Sequence, residues 1–308
     1  MTDTVVFRSR RQERTRRPVW EEPPTPVGRI LKATVLTLLV LGVLFPMWAI
    51  LVTSLSSRET IGDAGGIVVI PRGIDTSAYE TILAGGAVTR ALWISTQVTV
   101  IGTAVALTVT VLAAYGLSRP GSLGYRWLLA YFLIPFLIYP PLVPKYLVVT
   151  GLGLKDTIWA LILPSAISVF NLVVVRGFFQ GIPQELLDSA RIDGASDFRI
   201  LARIVLPLSK AVTAVVGLFY AVSYWNVWFD ALLFMDRNDM YPIQRVLQSY
   251  LLAGQAPHTS GATAGVTMPP TEAIKMAVVV LTVAPIVAVY PFIQRHFIKG
   301  VLIGAVKG

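Results

Sequence analysis

The chain has 308 residues, of which 55% are hydrophobic and only 14% charged, with no cysteine and a formal net charge of +9. Soluble domains carry about a quarter charged residues, so this composition belongs in a bilayer. The absence of cysteine excludes disulfides, thiolate nucleophiles and thiolate metal ligands. The two histidines, His258 and His296, lie in different polar segments, and no metal site is expected.

Residues 1–28, rich in Arg, Pro, Glu and Thr, read as a disordered basic tail. Its cluster Arg8, Arg10, Arg11, Arg14, Arg16 and Arg17 suits contact with anionic lipid and a fixed topology rather than a nucleic-acid arm. Six apolar stretches follow, near 31–54, 91–118, 125–149, 157–177, 208–234 and 273–296, each able to cross a hydrocarbon core that needs roughly 20 helical residues. The first is longer than the ~7–15-residue core of a secretory signal and lacks a small-x-small cleavage site before Arg58, so it reads as a retained helix. In the third, Pro135, Pro140, Pro141 and Pro144 break or kink the helix, either as a hinge or as a packing irregularity.

Positive charge alternates between the connecting segments. The tail 1–32, the turn 119–126, the segment 176–210 and the tail 295–308 hold 8, 2, 5 and 3 Lys and Arg, 18 of the chain's 26. The positive-inside rule puts these segments, and both termini, in the cytoplasm of a multi-pass protein of the cell membrane.

The segment between the fourth and fifth stretches carries the most information. Pro183 suits the first turn of a helix. Residues 184–193 then divide into an apolar side (Leu186, Leu187, Ala190) and a polar side (Gln184, Glu185, Asp188, Arg191). Gly194 can adopt the left-handed conformation that stops this helix. Ser196 can cap a second helix carrying Phe198, Leu201 and Val205, with Arg199 and Arg203 four apart. Pro207 restricts Leu206 and marks the return to the membrane. Two short helices and a tight turn would form a rigid knob; the plainer alternative is an amphipathic interfacial loop.

The fifth stretch holds Tyr220, Ser223, Trp225, Asn226, Trp228 and Asp230. Polar side chains within spans must find partners or line water. Asn226 stands 18 residues beyond Leu208, about 27 Å along a helix, which is the outer leaflet. Aromatic rings beside amide and carboxylate groups suit stacking on sugar rings and bonding to hydroxyls, so Tyr220, Trp225, Asn226, Trp228 and Asp230 are candidates for a substrate path. An interfacial aromatic belt with Asn226 bonding between helices explains the same residues. Asn171, in the fourth stretch, reads as glue between helices.

The segment Asp188-Ser189-Ala190, three residues, Gly194, nine residues, then Ile204-x-Leu206-Pro207 resembles the coupling loop of ATP-binding-cassette importer permeases. That loop opens with Glu-Ala-Ala, so only the first triplet departs, and it keeps a carboxylate and small residues. Leu152 to Ala160, Phe170-Asn171-Leu172, Arg176-Gly177-Phe178-Phe179 and the ending Tyr290-Pro291-Phe292 through Gly300, closed by Gly304 to Gly308, are similar to carbohydrate-importer permeases of the maltose-transporter G type. Tyr224-Trp225-Asn226-x-Trp228-Phe229 resembles permeases for complex oligosaccharides, including uronate-containing ones.

The resemblance implies an all-α, six-helix, type I importer fold: a permease domain over 29–299, its coupling loop at 180–207, and a cytoplasmic tail at 300–308. It implies a homologous second permease, two ATPase subunits that hold ATP and Mg, an extracytoplasmic solute-binding protein, and a carbohydrate cargo. This chain would bind no cofactor, having no Gly-x-x-x-x-Gly-Lys-Ser/Thr loop to cradle phosphates. By the same resemblance Asp188, Ser189, Ala190 and Gly194 meet the ATPase, while Ile204, Leu206 and Pro207 fix the loop to the fifth span. A permease for a non-sugar solute shares the loop. A secondary transporter would more often carry mid-membrane charges, and a membrane enzyme would need an in-span catalytic cluster; neither pattern is apparent.

Overall fold

A computed structural model of the chain describes residues 25–84, 86–119, 124–138, 141–252 and 272–304, with side chains to residue 289. The basic cluster, His258 and the last four residues lie outside what is described, as does the side chain of His296. The chain divides into two units, Met1–Trp48 and Ala49–Gly308.

Helix α1 spans Pro26–Ser54. It starts before Gly28, where the tail was expected to run on, because Pro26 supplies a ready helical φ and Thr25 accepts the Gly28 N–H through its side chain (3.2 Å) and the Arg29 N–H through its carbonyl (3.0 Å). In the first unit its apolar side chains are exposed on all sides, with Leu38, Leu39 and Val43 each above 60%. A surface of that kind is stable in lipid, not in water.

The second unit continues through α2 (Arg58–Asp63), α3 (Ser77–Ala84) and α4 (Ala87–Ser118). Helix α5 (Tyr125–Leu137) and α6 (Leu142–Gly151) follow, then α7 (Ile158–Ile162) and α8 (Val169–Gln180). Next come α9 (Gln184–Ile192), α10 (Asp197–Ile200), a π-turn at Leu201–Val205, α11 (Leu206–Leu208) and α12 (Lys210–Trp225). The chain closes with α13 (Trp228–Phe234), α14 (Ile243–Leu252) and α15 (Glu272–Gly304). Helix α15 runs past the boundary expected at residue 299.

Helix α4 is the axis of the unit, packed against α12 and α8. Small residues bring it close: Gly102, Ala106 and Ala114 sit on its buried side. A Cβ added at Gly102 would lie 2.9 Å from the ring of Tyr224, so the ring occupies the space that glycine leaves. Several polar groups between the helices are paired, whereas the buried hydroxyls of Thr99 and Thr103 on α4 have no partner among the described residues. Thr110 and Tyr220 share a hydrogen bond of 2.6 Å, and the Tyr220 hydroxyl also accepts the Ser168 N–H at 2.9 Å. The Tyr224 hydroxyl donates to the Ile162 carbonyl (3.0 Å). Without water in the bilayer core, such pairing removes a cost of several kcal/mol per group. A second buried cluster joins Val88 and Ala91 of α4 with Ile243, Val246 and Tyr250 of α14 and Ala277 and Val278 of α15.

Among the described residues, three helices are each long and apolar enough to cross a membrane, and up to six crossings result if each bent pair is one span. Span three is bent where its prolines were expected to break or kink it, and spans four and five, expected as continuous helices, are broken as well. The stretch Ile158–Ser165, which ends in a 3-10 turn containing Pro164, meets α8 at 51°. Helices α5 and α6 diverge by 118°, with Pro135 inside the first and Pro141 capping the second. Span five, expected as one helix over 208–234, begins after an 87° bend at Ser209. It stops at Trp225 and resumes at Trp228. Val227 (φ −76°, ψ 61°) forms an inverse γ-turn there, with the Trp228 N–H donating to the Asn226 carbonyl at 2.8 Å.

Candidate functional site: the helical hairpin and the far end of α12

Helix α9 has an acid, Glu185, in its first turn and Arg191 in its last, the arrangement a helix dipole favours. Pro183 sits just before the helix rather than in its first turn. Leu187 and Ala190 are buried. Leu186, expected beside them, is 42% exposed. On the polar side, Asp188 accepts from Arg191 (2.7 Å) and from Gln184 (3.2 Å), and all three remain open to solvent.

Gly194 stops the helix with φ +77°. Its N–H donates to the Arg191 carbonyl and the Ala195 N–H to the Ala190 carbonyl, both at 3.0 Å. This double bond pattern is a Schellman termination, and a side chain at Gly194 would pay the left-handed strain. Among the described residues, nothing beyond its chain neighbours lies within 4 Å of the position a Cβ would take. The surface over Gly194 is thus free for another molecule to approach closely.

Ser196 occupies the cap position of α10 through its carbonyl, which accepts the Ile200 N–H (2.9 Å), but its hydroxyl makes no cap bond. Ile200, Leu201 and Val205 are buried, whereas Phe198, expected with them, is 73% exposed. The π-turn has a local cause. Pro207 has no N–H for the Arg203 carbonyl and its ring crowds that oxygen. The preceding turn widens, and the Leu206 N–H reaches back five residues to Leu201. Ile204 and Leu206 pack against the main core while Pro207 is exposed. The chain then turns at Ser209 into α12.

The hairpin is held from the side by α4. Arg119 caps α4 and pairs with the Asp197 carboxylate, and the same guanidinium bonds the Tyr115 hydroxyl. Tyr115 in turn donates to the Asp197 carbonyl at 3.0 Å, and Arg119 lies over its ring at 4.2 Å. The Arg119 hydrogen bond holds the Asp197 carboxyl below its ordinary value. One turn away, Arg176 of α8 donates to the Leu117 carbonyl (2.8 Å).

At the other end of α12, the five candidate path residues do not converge on one pocket. Tyr220 and Trp225 are buried, and the Trp225 indole N–H donates to the Thr282 carbonyl (3.1 Å). Both are bonded between helices in this structure. Asn226 is exposed, bonded to the Val222 carbonyl (2.8 Å) and to the amide of Gln244 (3.1 Å). Trp228 and Phe229 are partly exposed and meet edge to face with centroids 5.4 Å apart. Asp230 pairs with Lys145 of α6 at 2.7 Å, both largely withdrawn from solvent. Asp156, at φ +58°, accepts the N–H groups of Asp236 (2.7 Å) and Arg237 (3.0 Å), tying the loop after α6 to the end of α13.

Sequence reasoning missed Arg119, Tyr115, Lys145 and Gln244. Each stands in an element remote in sequence from its partner, and no spacing rule links them. Ile192, 87% exposed at the hairpin tip, was missed too, although an isoleucine beside a turn glycine on a polar face is a visible anomaly. Among the described residues, no group of three His, Cys, Asp or Glu side chains could hold a metal.

Comparison with known proteins agrees with this geometry. Residues 106–303 match the family described as binding-protein-dependent transport system inner membrane component. Protein LplC of Bacillus subtilis is 44% identical over 240 residues, covering 78% of this chain and 81% of that one. The polygalacturonan/rhamnogalacturonan transport system permease protein YtcP of the same organism is 43% identical over 242 residues, covering 78% and 85%. A crystal structure of a bacterial ABC transporter involved in the import of the acidic polysaccharide alginate has a chain that superposes with a TM-score of 0.80 at 28% identity, over 88% of this chain and 96% of that one. The match spans the hairpin and every helix from the middle of α4 onward, and the chain belongs to the family of binding-protein-dependent transport system inner membrane components.

Proposed function

We propose that this chain is one of two permease subunits of an ATP-driven importer for oligosaccharides of acidic, uronate-containing polysaccharides. The observation that carries the mechanism is the hairpin: a Schellman-terminated helix pair with an open glycine, a charged face and exposed Ile192 and Phe198 at its tip. Such a knob suits a cleft on a separate ATPase, where apolar tip residues bury and Asp188 meets a basic or polar partner. Members of the family do not hydrolyse ATP themselves.

The cycle follows from the connectivity. ATP binding closes the ATPase pair and draws the two hairpins together. Because Ile204 and Leu206 pack against the core to which α12 contributes Val212, Val216 and Tyr220, a movement of the hairpin would be passed to α12. The far end of α12 would then open toward the solute-binding protein, with Asn226, Gln244 and Trp228 available to a sugar. Both termini and the hairpin lie in the cytoplasm on this reading, residues 29–299 form the membrane domain, and the ATP and Mg belong to the partner subunits.

The cargo class is supported by two similar proteins of independent kind, a polygalacturonan/rhamnogalacturonan permease and an alginate importer. Arabinooligosaccharides, carried by the transport system of a relative 26% identical over 292 residues, are the neutral alternative. The test is uptake by cells with and without this chain of radiolabelled oligogalacturonates and neutral arabino-oligosaccharides. Loss of the acidic class alone is expected on deletion; loss of the neutral class alone would refute the cargo.

A further inference from the structure

We propose that Arg119, Asp197 and Tyr115 form a transmission latch that makes α4, and not only the helices adjoining the hairpin, a driven element of transport. The inference rests on the hairpin being the part that faces the ATPase.

The observations are these. Asp197 is the first residue of α10, so its position reports directly on the hairpin's second helix. Arg119 is the cap residue of α4. The two are 78 residues apart in sequence yet paired by charge, and Tyr115 bonds both partners of the pair. A single surface ion pair contributes little. Three groups that fix one another, with the guanidinium stacked over the phenol ring, define a direction as well as a distance.

What the latch holds is a continuous rod. Helix α4 has 32 residues, about 48 Å of helix. Along it, Thr110 is bonded to Tyr220 and Gly102 is closed against Tyr224. Near its other end the Ser95 hydroxyl accepts the Ile243 N–H at 2.8 Å, so α4 reaches α14 directly. A displacement of α10 is therefore passed to α4 at Arg119 and delivered to α14 at Ser95. Helix α12 reaches the same cluster through Trp225 and through α15, so α4 is a second, parallel route to α14. Arg119 and Tyr115 are positioning residues on this account: they touch neither sugar nor ATP.

The experiment uses the assembled importer in liposomes, with uptake and ATP hydrolysis measured together per complex. Arg119→Ala and Asp197→Asn should retain binding-protein-stimulated hydrolysis while uptake per ATP falls by on the order of tenfold. The chain has no cysteine of its own, so Arg119→Cys with Asp197→Cys can be bridged by a short bifunctional thiol reagent. Bridging should raise uptake per ATP back toward the unaltered value. If the latch merely supports the fold, uptake and hydrolysis fall in proportion and their ratio is unchanged, which would overturn the proposal, as would a normal ratio at normal rates. Gly194→Trp run in parallel separates the premises: if it keeps co-purification with the ATPase and full uptake, the hairpin reading itself is wrong. If it loses them while Arg119→Ala keeps a normal ratio, the latch alone is wrong.

Discussion

The two ends of α12 solve opposite problems. At the hairpin end the backbone is over-determined: a left-handed glycine, a Schellman pair, a π-turn forced by Pro207 and a buried Ser209 fix the shape, while the apolar side chains of Ile192 and Phe198 are left exposed. At the far end the side chains are paired, Tyr224 with Ile162, Trp225 with Thr282, Asp230 with Lys145, while the backbone is interrupted at Asn226 and Val227. A docking knob must keep its shape when a partner pulls on it, and its surface must be free to bind. A helix end that opens and closes needs the reverse, a backbone that can bend and contacts that define two packings.

This contrast can be broken with substitutions of decreasing effect. Gly194→Trp should bring uptake to background while the chain still inserts, because the ring enters space that is open here and that the proposed docking on an ATPase needs; uptake in membrane vesicles set against the amount of chain in the membrane measures it. Gly102→Val should act on folding instead. Its side chain meets the Tyr224 ring at under 3 Å, and overpacking of this kind costs about 1–3 kcal/mol, seen as a lower melting point in detergent and less complex at equal synthesis. Asp230→Leu alone leaves the Lys145 ammonium without its partner and should cost on the order of 1–3 kcal/mol. Combining it with Lys145→Met should recover part of that loss, since removing both members of a withdrawn pair is gentler than removing one. Trp228→Ala should be mildest for stability and alter only the relative uptake of different oligosaccharides per assembled complex. A uniform change across sugars would return Trp228 to the packing belt.

The difference also explains what the sequence makes legible. The hairpin is written locally: Pro183, Gly194 and Pro207 act through their own backbones, and the spacing between them is enough to place two helices and a turn. Apolar length likewise announces α1, α4 and α15. The far end is written in tertiary contacts. Nothing at Trp225 reveals that its indole will face Thr282, and nothing at Tyr220 reveals Thr110 and Ser168, so candidate path residues chosen by polarity divided between buried glue and exposed surface. The break at Val227 carries neither Gly nor Pro, and an apolar run from 208 to 234 reads as one helix. Phe198 misleads for the opposite reason: its spacing fits the buried side of α10, but the hairpin uses it as exposed surface.

The central claim, that the hairpin tip is the ATPase-binding element on the cytoplasmic side, is tested most directly at Ile192. In a chain without cysteine, Ile192→Cys is a single reactive site. The account predicts that it resists a membrane-impermeant thiol reagent in intact cells and reacts once the membrane is opened. It also predicts a crosslink to the ATPase subunit in the assembled importer, at an efficiency that changes on adding ATP. Labelling from outside intact cells, or full reactivity in the assembled complex with no crosslink to the ATPase, would contradict it.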